Sequence, residues 1–358
     1  MEYRTLKKKY VGLDLLRILS AMVVCMFHTT IHLDCNYGIL QNMSKMGAVF
    51  MTAFFMLSGF CLFANWSGVN LAEPSNVKKF WKKRFLSVAP MYFFVATLYV
   101  VINLITGKDT VGKTVLLFPI ETFGIQAVFS SLFGYSHNGG TWFISCLVIC
   151  YFSYPYLQEI IVHTKRRTHV LLLLLCTFCL LYSPIVVCYL HISSIYSNPF
   201  FRLLEFLIGM ILAAVKKDFS DSTILHICYN WISIITANLI MLWAITLAVN
   251  REIEVGNYML YNWICLPCFS IMLLGLSGVE CKILEQSRLI SYFSKITYVF
   301  FLAQLFSNNI SKYIIGIYSI SLNWHRILLG WSVCIIITAF LAVIEKEMKT
   351  IIHNRFNI

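Results

Sequence analysis

The chain has 358 residues, 59% of them hydrophobic and 12% charged, with a formal net charge of +12, whereas an ordinary soluble domain carries about 45–50% and about 25%. A soluble globule is excluded, and apolar stretches of about 20 residues, the length that crosses a hydrocarbon core, indicate a polytopic membrane protein. The cations form no single basic face of the kind nucleic acid would require. They fall in short runs between apolar segments, Lys7-Lys8-Lys9, Lys78-Lys79, Lys82-Lys83-Arg84, Lys165-Arg166-Arg167 and Lys216-Lys217, which is the pattern of cytoplasmic loops between membrane spans.

Ten spans are predicted in chain order: 11–33, 45–65, 86–106, 141–161, 169–190, 199–215, 229–249, 257–277, 292–312 and 325–345. The first follows a lysine run, as a signal peptide would, but it is too long, carries Asp14 and Arg17, and lacks a small-residue cleavage site, so it reads as a retained span. Thr114–Phe133 is nearly as apolar as a span but contains Pro119 and Glu121. Charge decides its placement. With ten spans, 19 Lys and Arg residues fall inside and 6 outside, whereas an eleventh span makes the division 12 against 13. The positive-inside rule therefore favours ten spans with both termini cytoplasmic. The expected fold is an all-α transmembrane bundle forming one domain over residues 1–358, with 107–140 an outer loop whose middle is interfacial or partly buried.

The thirteen cysteines mostly lie in apolar spans, Cys25, Cys61, Cys146, Cys150, Cys176, Cys179 and Cys334 among them, and read as buried thiols. Cys265-Leu-Pro-Cys268 has redox or zinc spacing, but it sits in an apolar span with no second ligand pair. No metal site is expected.

Asp14, Arg17, His28, Arg202 and Glu205 fall within spans, where an ionisable side chain needs a partner or water. Asp14 with Arg17, and Arg202 with Glu205, are spaced i,i+3 and can neutralise each other on one helix face. Arg17 and His28 are eleven residues apart, three helical turns plus roughly 20°, so they share a face about 16 Å apart along the axis. A guanidinium near the inner face suits phosphate-like oxygens, and an imidazole farther out suits proton transfer. The same stripe also suits a proton or ion relay in a transporter.

Gly12-Leu13-Asp14-Leu15-Leu16-Arg17, with His28 following ten residues after Arg17, resembles the signature of the acyltransferase 3 family of membrane acyltransferases. Further similar strings follow in order: Phe54-Phe55-Met56-Leu57-Ser58-Gly59-Phe60, Phe80-Trp81-Lys82-Lys83-Arg84 with Pro90-Met91-Tyr92, and Trp142-Phe143-Ile144-Ser145 with Tyr151 and Pro155. Arg202-Leu203-Leu204-Glu205-Phe206-Leu207-Ile208-Gly209 and Ile344-Glu345-Lys346 complete the series, which covers essentially the whole chain. Three positions depart from the family pattern. Ser87 stands where a second loop arginine is common, Gly140 stands where many members carry histidine, with His137 upstream, and Gln304 stands where a span-nine histidine is frequent.

The resemblance implies transfer of an acyl group, usually acetyl from cytosolic acetyl-CoA, to a carbohydrate hydroxyl on the far side of the bacterial cytoplasmic membrane. It needs no permanently bound cofactor, and its partners are the acyl-CoA donor, the carbohydrate acceptor and the bilayer. It implies that Arg17, Arg84, Lys83 and Lys82 hold the donor, that Asp14 orients Arg17, and that His28 serves the transfer, either as the base that deprotonates the acceptor hydroxyl or by first carrying the acyl group as an acyl-imidazole. Arg202, Glu205, Trp142, Ser58 and Tyr298 are matched positions expected to bind substrate or support the site. A transporter or flippase is the main rival, but Pro184 and Pro267 do not mark matching halves. A polymerase or ligase would be expected to carry a larger outer loop, and a scaffold gives no reason to bury Arg17 and His28.

Overall fold

A computed structural model describes residues 10–128, 136–190, 195–219, 223–250, 265–278 and 286–356. The lysine run at 7–9, the end of the 114–133 segment, the 250–256 loop beyond its first residue, and the first part of the eighth predicted span lie outside them. Among the described residues the chain is all-α, without strands. In order the helices are α1 (Val11–Leu33), α2 (Gln41–Lys45), α3 (Phe50–Trp66), α4 (Pro74–Ile105), α5 (Val111–Thr122), α6 (Trp142–His163) and α7 (Arg166–Leu190). Then come α8 (Pro199–Asp218), α9 (Thr223–Cys228), α10 (Trp231–Asn250), α11 (Leu266–Gly278), α12 (Arg288–Tyr318) and α13 (Asn323–Phe356). Helices are the natural solution here, since each satisfies its own backbone polar groups where water cannot.

Among the described residues eight helical stretches are long and apolar enough to cross a membrane: Val11–Leu33, Gly47–Trp66, Pro74–Ile105, Gly139–His163, Arg166–Ser183, Trp231–Asn250, Arg288–Tyr318 and Asn323–Arg355. The other two predicted spans are also helical. α8 is 20 residues long but carries Arg202, Glu205, Lys216 and Lys217, and α11 has 13 residues. α5, with 12 residues, is too short to span. It exposes Val115, Leu116 and Phe118 while burying Leu117 and Glu121.

α3 and α8 form the centre. A Cβ on Gly59 would lie 1.9 Å from the Phe206 carbonyl oxygen, and one on Gly209 would lie 2.0 Å from the Met56 carbonyl oxygen. The two backbones therefore touch through reciprocal glycines, a small-residue crossing suited to helices that hydrophobic burial cannot pull together in lipid. α1 packs against α3 on one side and α12 on the other, α13 covers α12, and α6 and α7 flank α8. Phe55, Met56, Phe60, Phe206 and Met210 fill the middle. Leu171, Ile336 and Phe340, on α7 and α13, are among the large apolar side chains left exposed at the periphery, as a lipid-facing belt requires.

The described cysteines are free thiols. Most are buried, including Cys265 and Cys268, but Cys179 is exposed on α7 and Cys61 is half-buried beside Arg17. α7 continues through residue 184, and Pro267 occupies the second position of α11, where a missing N–H costs little.

Candidate functional site

Two cavities lie one beyond the other along α1. The first, about 460 Å³, holds Arg17 in its wall, and the second, about 520 Å³, holds His28. Eleven residues of helix, about 16 Å of rise, separate the two side chains.

Arg17 is anchored on its rear side. Its Nη1 donates to Asp14 Oδ1 and to Ser294 Oγ, each at 3.0 Å, and Ser294 Oγ donates to the same Asp14 oxygen at 2.5 Å. Nη2 lies 3.9 Å from Cys61 Sγ. Asp14 thus stands behind the guanidinium, whose side chain keeps 29% exposure, enough to meet an anion. Arg84, Lys295 and Lys349 line the same cavity, with Glu345 as a carboxylate in its wall, paired to Lys349 at 2.8 Å. Arg84 reaches it from α4 with its guanidinium 6.0 Å from the Trp66 ring and 5.8 Å from the Phe80 ring. Its Nε is buried without a hydrogen-bond partner.

The expected donor set is only partly assembled here. Arg17, Arg84, Ser58 and Tyr298 share the first cavity. Ser58 Oγ is 3.4 Å from Tyr151 Oη, and Tyr298 Oη donates to the Val88 carbonyl at 2.9 Å. Lys82 instead lines an apolar groove between α4 and α6, and the Lys83 ammonium lies 5.5 Å over Trp66. Ser87, in the place of the second loop arginine, also lines the cavity. Positive charge is supplied there by Lys295 and Lys349. Lys295 falls at the inner edge of the predicted span 292–312, apart from the loop cations, whereas Lys349 looks like an ordinary topogenic cation.

His28 stands in the second cavity with His32 one turn farther on, their rings stacked at 5.9 Å and 14°. Its Nδ1 is buried and makes no hydrogen bond, so the half-buried ring presents its other edge to the cavity. His32, Lys108, His137 and Tyr99 line the same space, and the Tyr99 hydroxyl is likewise buried and unpartnered. The i,i+4 spacing of His28 and His32 is a signal the sequence offers for the second histidine.

His137 is fixed from both sides. Nδ1 lies 2.7 Å from Glu121 Oε2, Nε2 lies 3.1 Å from Thr114 Oγ1, and its backbone N–H donates to Glu121 Oε1 at 2.7 Å. Position 140 brings no ring to the cavity. A Cβ on Gly140 would sit 2.4 Å from Leu305 Cδ1, whereas His137 reaches the cavity from three residues upstream. Gln304 turns away, donating to the Ala21 carbonyl at 3.3 Å.

Arg202 and Glu205 open onto neither cavity. Both side chains are fully buried, 2.7 Å apart, with Thr52 donating to Glu205 at 2.9 Å and Arg202 Nε donating to the Tyr196 carbonyl at 2.8 Å. The Arg202 guanidinium also lies over Phe55, Trp142 and Tyr196 at 4.8–5.3 Å. Both members lie on α8, and their hydrogen bonds to Thr52 tie that helix to α3. Through Trp142, which lines the second cavity, the pair also supports the His28 wall.

No curated protein and no solved structure matches the chain. A family model described as an acyltransferase domain matches residues 10–346, which take in the His28 cavity, the Arg17 cavity except Lys349, and every helix from α1 to most of α13. The protein therefore belongs to the acyltransferase 3 family of membrane acyltransferases.

Proposed function

We propose that the protein transfers an acyl group, acetyl from cytosolic acetyl-CoA, to a hydroxyl of a cell-surface carbohydrate or its lipid-linked precursor across the bacterial cytoplasmic membrane. The observation that carries this reading is the pairing of a cationic cavity at Arg17 with a histidine cavity at His28, stacked along one helix. With the termini in the cytosol, the Arg17 cavity faces the donor and the His28 cavity faces the acceptor.

The residues divide the work in two. Arg17, Arg84, Lys295 and Lys349 offer charge-assisted hydrogen bonds to the phosphates of the donor. Asp14 and Ser294 hold Arg17 so that its fork is preorganised. The pantetheine arm, a slender chain, reaches from there toward His28. His28 accepts the proton of the acceptor hydroxyl as that oxygen bonds to the thioester carbonyl carbon. The C–S bond then breaks, and the proton passes to the departing thiolate. Apolar walls keep bulk water from competing with the acceptor.

The test gives radiolabelled acetyl-CoA to membranes containing the protein or its His28→Ala variant and reads label in envelope glycans. The expected outcome is label in the first and a loss of at least about 10²-fold in the second, at equal expression and insertion. Full retention in the variant removes His28 from the chemistry. Absence of label with the unaltered protein refutes acyl transfer to a glycan and favours a transporter.

A further inference from the structure

Three side chains line both cavities: Met51 of α3, Phe143 of α6 and Phe301 of α12. Phe143 and Phe301 meet edge to face, with ring centroids 4.2 Å apart at 69°. Phe54 packs on Phe301 from the Arg17 side at 6.1 Å. Met51 and Phe143 are buried. The partition is one side chain thick, and the trio offers no charged or hydrogen-bonding side chain to a passing group.

We propose that Met51, Phe143 and Phe301 form the slot through which the acyl end of the donor reaches His28, and that the space they leave sets the length of acyl group the protein transfers. The inference rests on the acyl-transfer reading above and adds a determinant of donor choice to it. The argument is one of place and packing. A thioester held by the cations of the first cavity meets an acceptor in the second only by displacing this partition. A methyl group asks little displacement of a methionine and two rings, whereas each added methylene must find volume in an already close-packed contact. The same closure keeps water away from the thioester. Opening it permits hydrolysis, in which a water oxygen bonds to the carbonyl carbon, the C–S bond breaks, and a carboxylic acid and free thiol leave.

The experiment uses membranes bearing the full chain, supplied with acetyl-CoA or butyryl-CoA. It reads acyl label in envelope glycans, together with acceptor-independent release of free CoA thiol. Phe301→Ala and Met51→Ala are expected to raise the butyryl-to-acetyl transfer ratio about tenfold or more and to increase thiol release, with Phe301→Leu intermediate. If Phe301→Ala fails to insert, Met51→Ala and Phe301→Leu decide. An unchanged ratio in a variant that still transfers acetyl overturns the inference while leaving acyl transfer standing. Loss of both donors in every inserted variant also overturns it. If the unaltered protein transfers neither donor, the underlying reading fails and this one falls with it.

Discussion

Arg17 combines two contacts that a lysine cannot reproduce. One amine of its fork is held by Asp14 and Ser294, and the other lies beside Cys61, so the planar group is aimed before any anion arrives. Arg17→Lys keeps the charge but loses that aim. The expected outcome is a rise of about tenfold or more in KM for acetyl-CoA, the size of one charge-assisted hydrogen bond, with the chain still folded. Lys295→Ala and Lys349→Ala should have smaller effects that shrink further as salt rises, since Lys349 is 54% exposed. Steady-state kinetics at low and high ionic strength separate the two classes. The Arg17–His28 stripe was legible in the sequence because helical periodicity alone aligns residues eleven apart. Lys295 was visible only as a cation at the edge of the span 292–312, and Lys349 not at all, because a cation that orients a span and a cation that lines a cavity differ only in what lies across from them. His137 was noted only as the histidine upstream of Gly140; its place in the cavity rests on Glu121 and Thr114, which hold its ring and backbone, contacts that spacing does not show.

At the scale of elements, hydropathy located the spans but not their ends. The third span was expected from residue 86, yet α4 begins at Pro74, because its first three turns are basic and amphipathic and therefore invisible to an apolar window. Those turns are what carry Arg84 to the cavity. α8 shows the opposite effect: its charges lower its apparent hydrophobicity although Arg202 and Glu205 are buried. The crossing of α3 with α8 makes a sharp demand. Gly59→Ala or Gly209→Ala would drive a methyl into a facing backbone carbonyl, which no rotamer change relieves, and should cost about 2 kcal/mol or more of stability. Thermal unfolding in detergent should show this, with Gly68→Ala, which meets nothing within 4 Å, nearly neutral. The outer connection makes a second demand. Burial raises the Asp109 carboxyl pKa, but hydrogen bonds from Lys113 and Asn103 outweigh it and hold the group below the usual carboxylate value. A lowered pKa stabilises the fold above the unfolded value and loses that contribution as pH falls through the folded one. The unfolding temperature should therefore drop on acidification below about pH 4, and Asp109→Asn should flatten that part of the profile. An identical acid limb in the variant would show that this contact contributes nothing.

For the whole molecule, the proposed transfer across the membrane requires the two cavities to open on opposite faces, and that requirement can be tested without any acceptor. The charge division of 19 against 6 comes from the sequence, while the placement of Arg17 and His28 in separate cavities comes from packing. They are independent, and together they predict opposite faces for Lys349 and Lys108. Both residues are exposed, one lining the Arg17 cavity and the other the His28 cavity. Most of the described native thiols are buried and Cys179 faces the apolar periphery of α7, where a charged reagent does not reach, while the unaltered chain, labelled alongside, gives the background from Cys61 in the wall of the Arg17 cavity and from the remaining thiols. A membrane-impermeant maleimide applied to intact cells with an accessible outer face of the cytoplasmic membrane should label Lys108→Cys and spare Lys349→Cys until the membrane is opened. Added CoA should then slow labelling of Lys349→Cys and leave Lys108→Cys unchanged, because the proposed phosphate-binding residues Arg17, Arg84 and Lys295 line the first cavity. A reversed labelling pattern would place His28 on the cytosolic side, and transfer across the membrane would have to run the other way. Protection of both sites by CoA would mean that the partition of Met51, Phe143 and Phe301 is open to the whole donor, leaving the protein without the barrier that separates the two halves of its reaction.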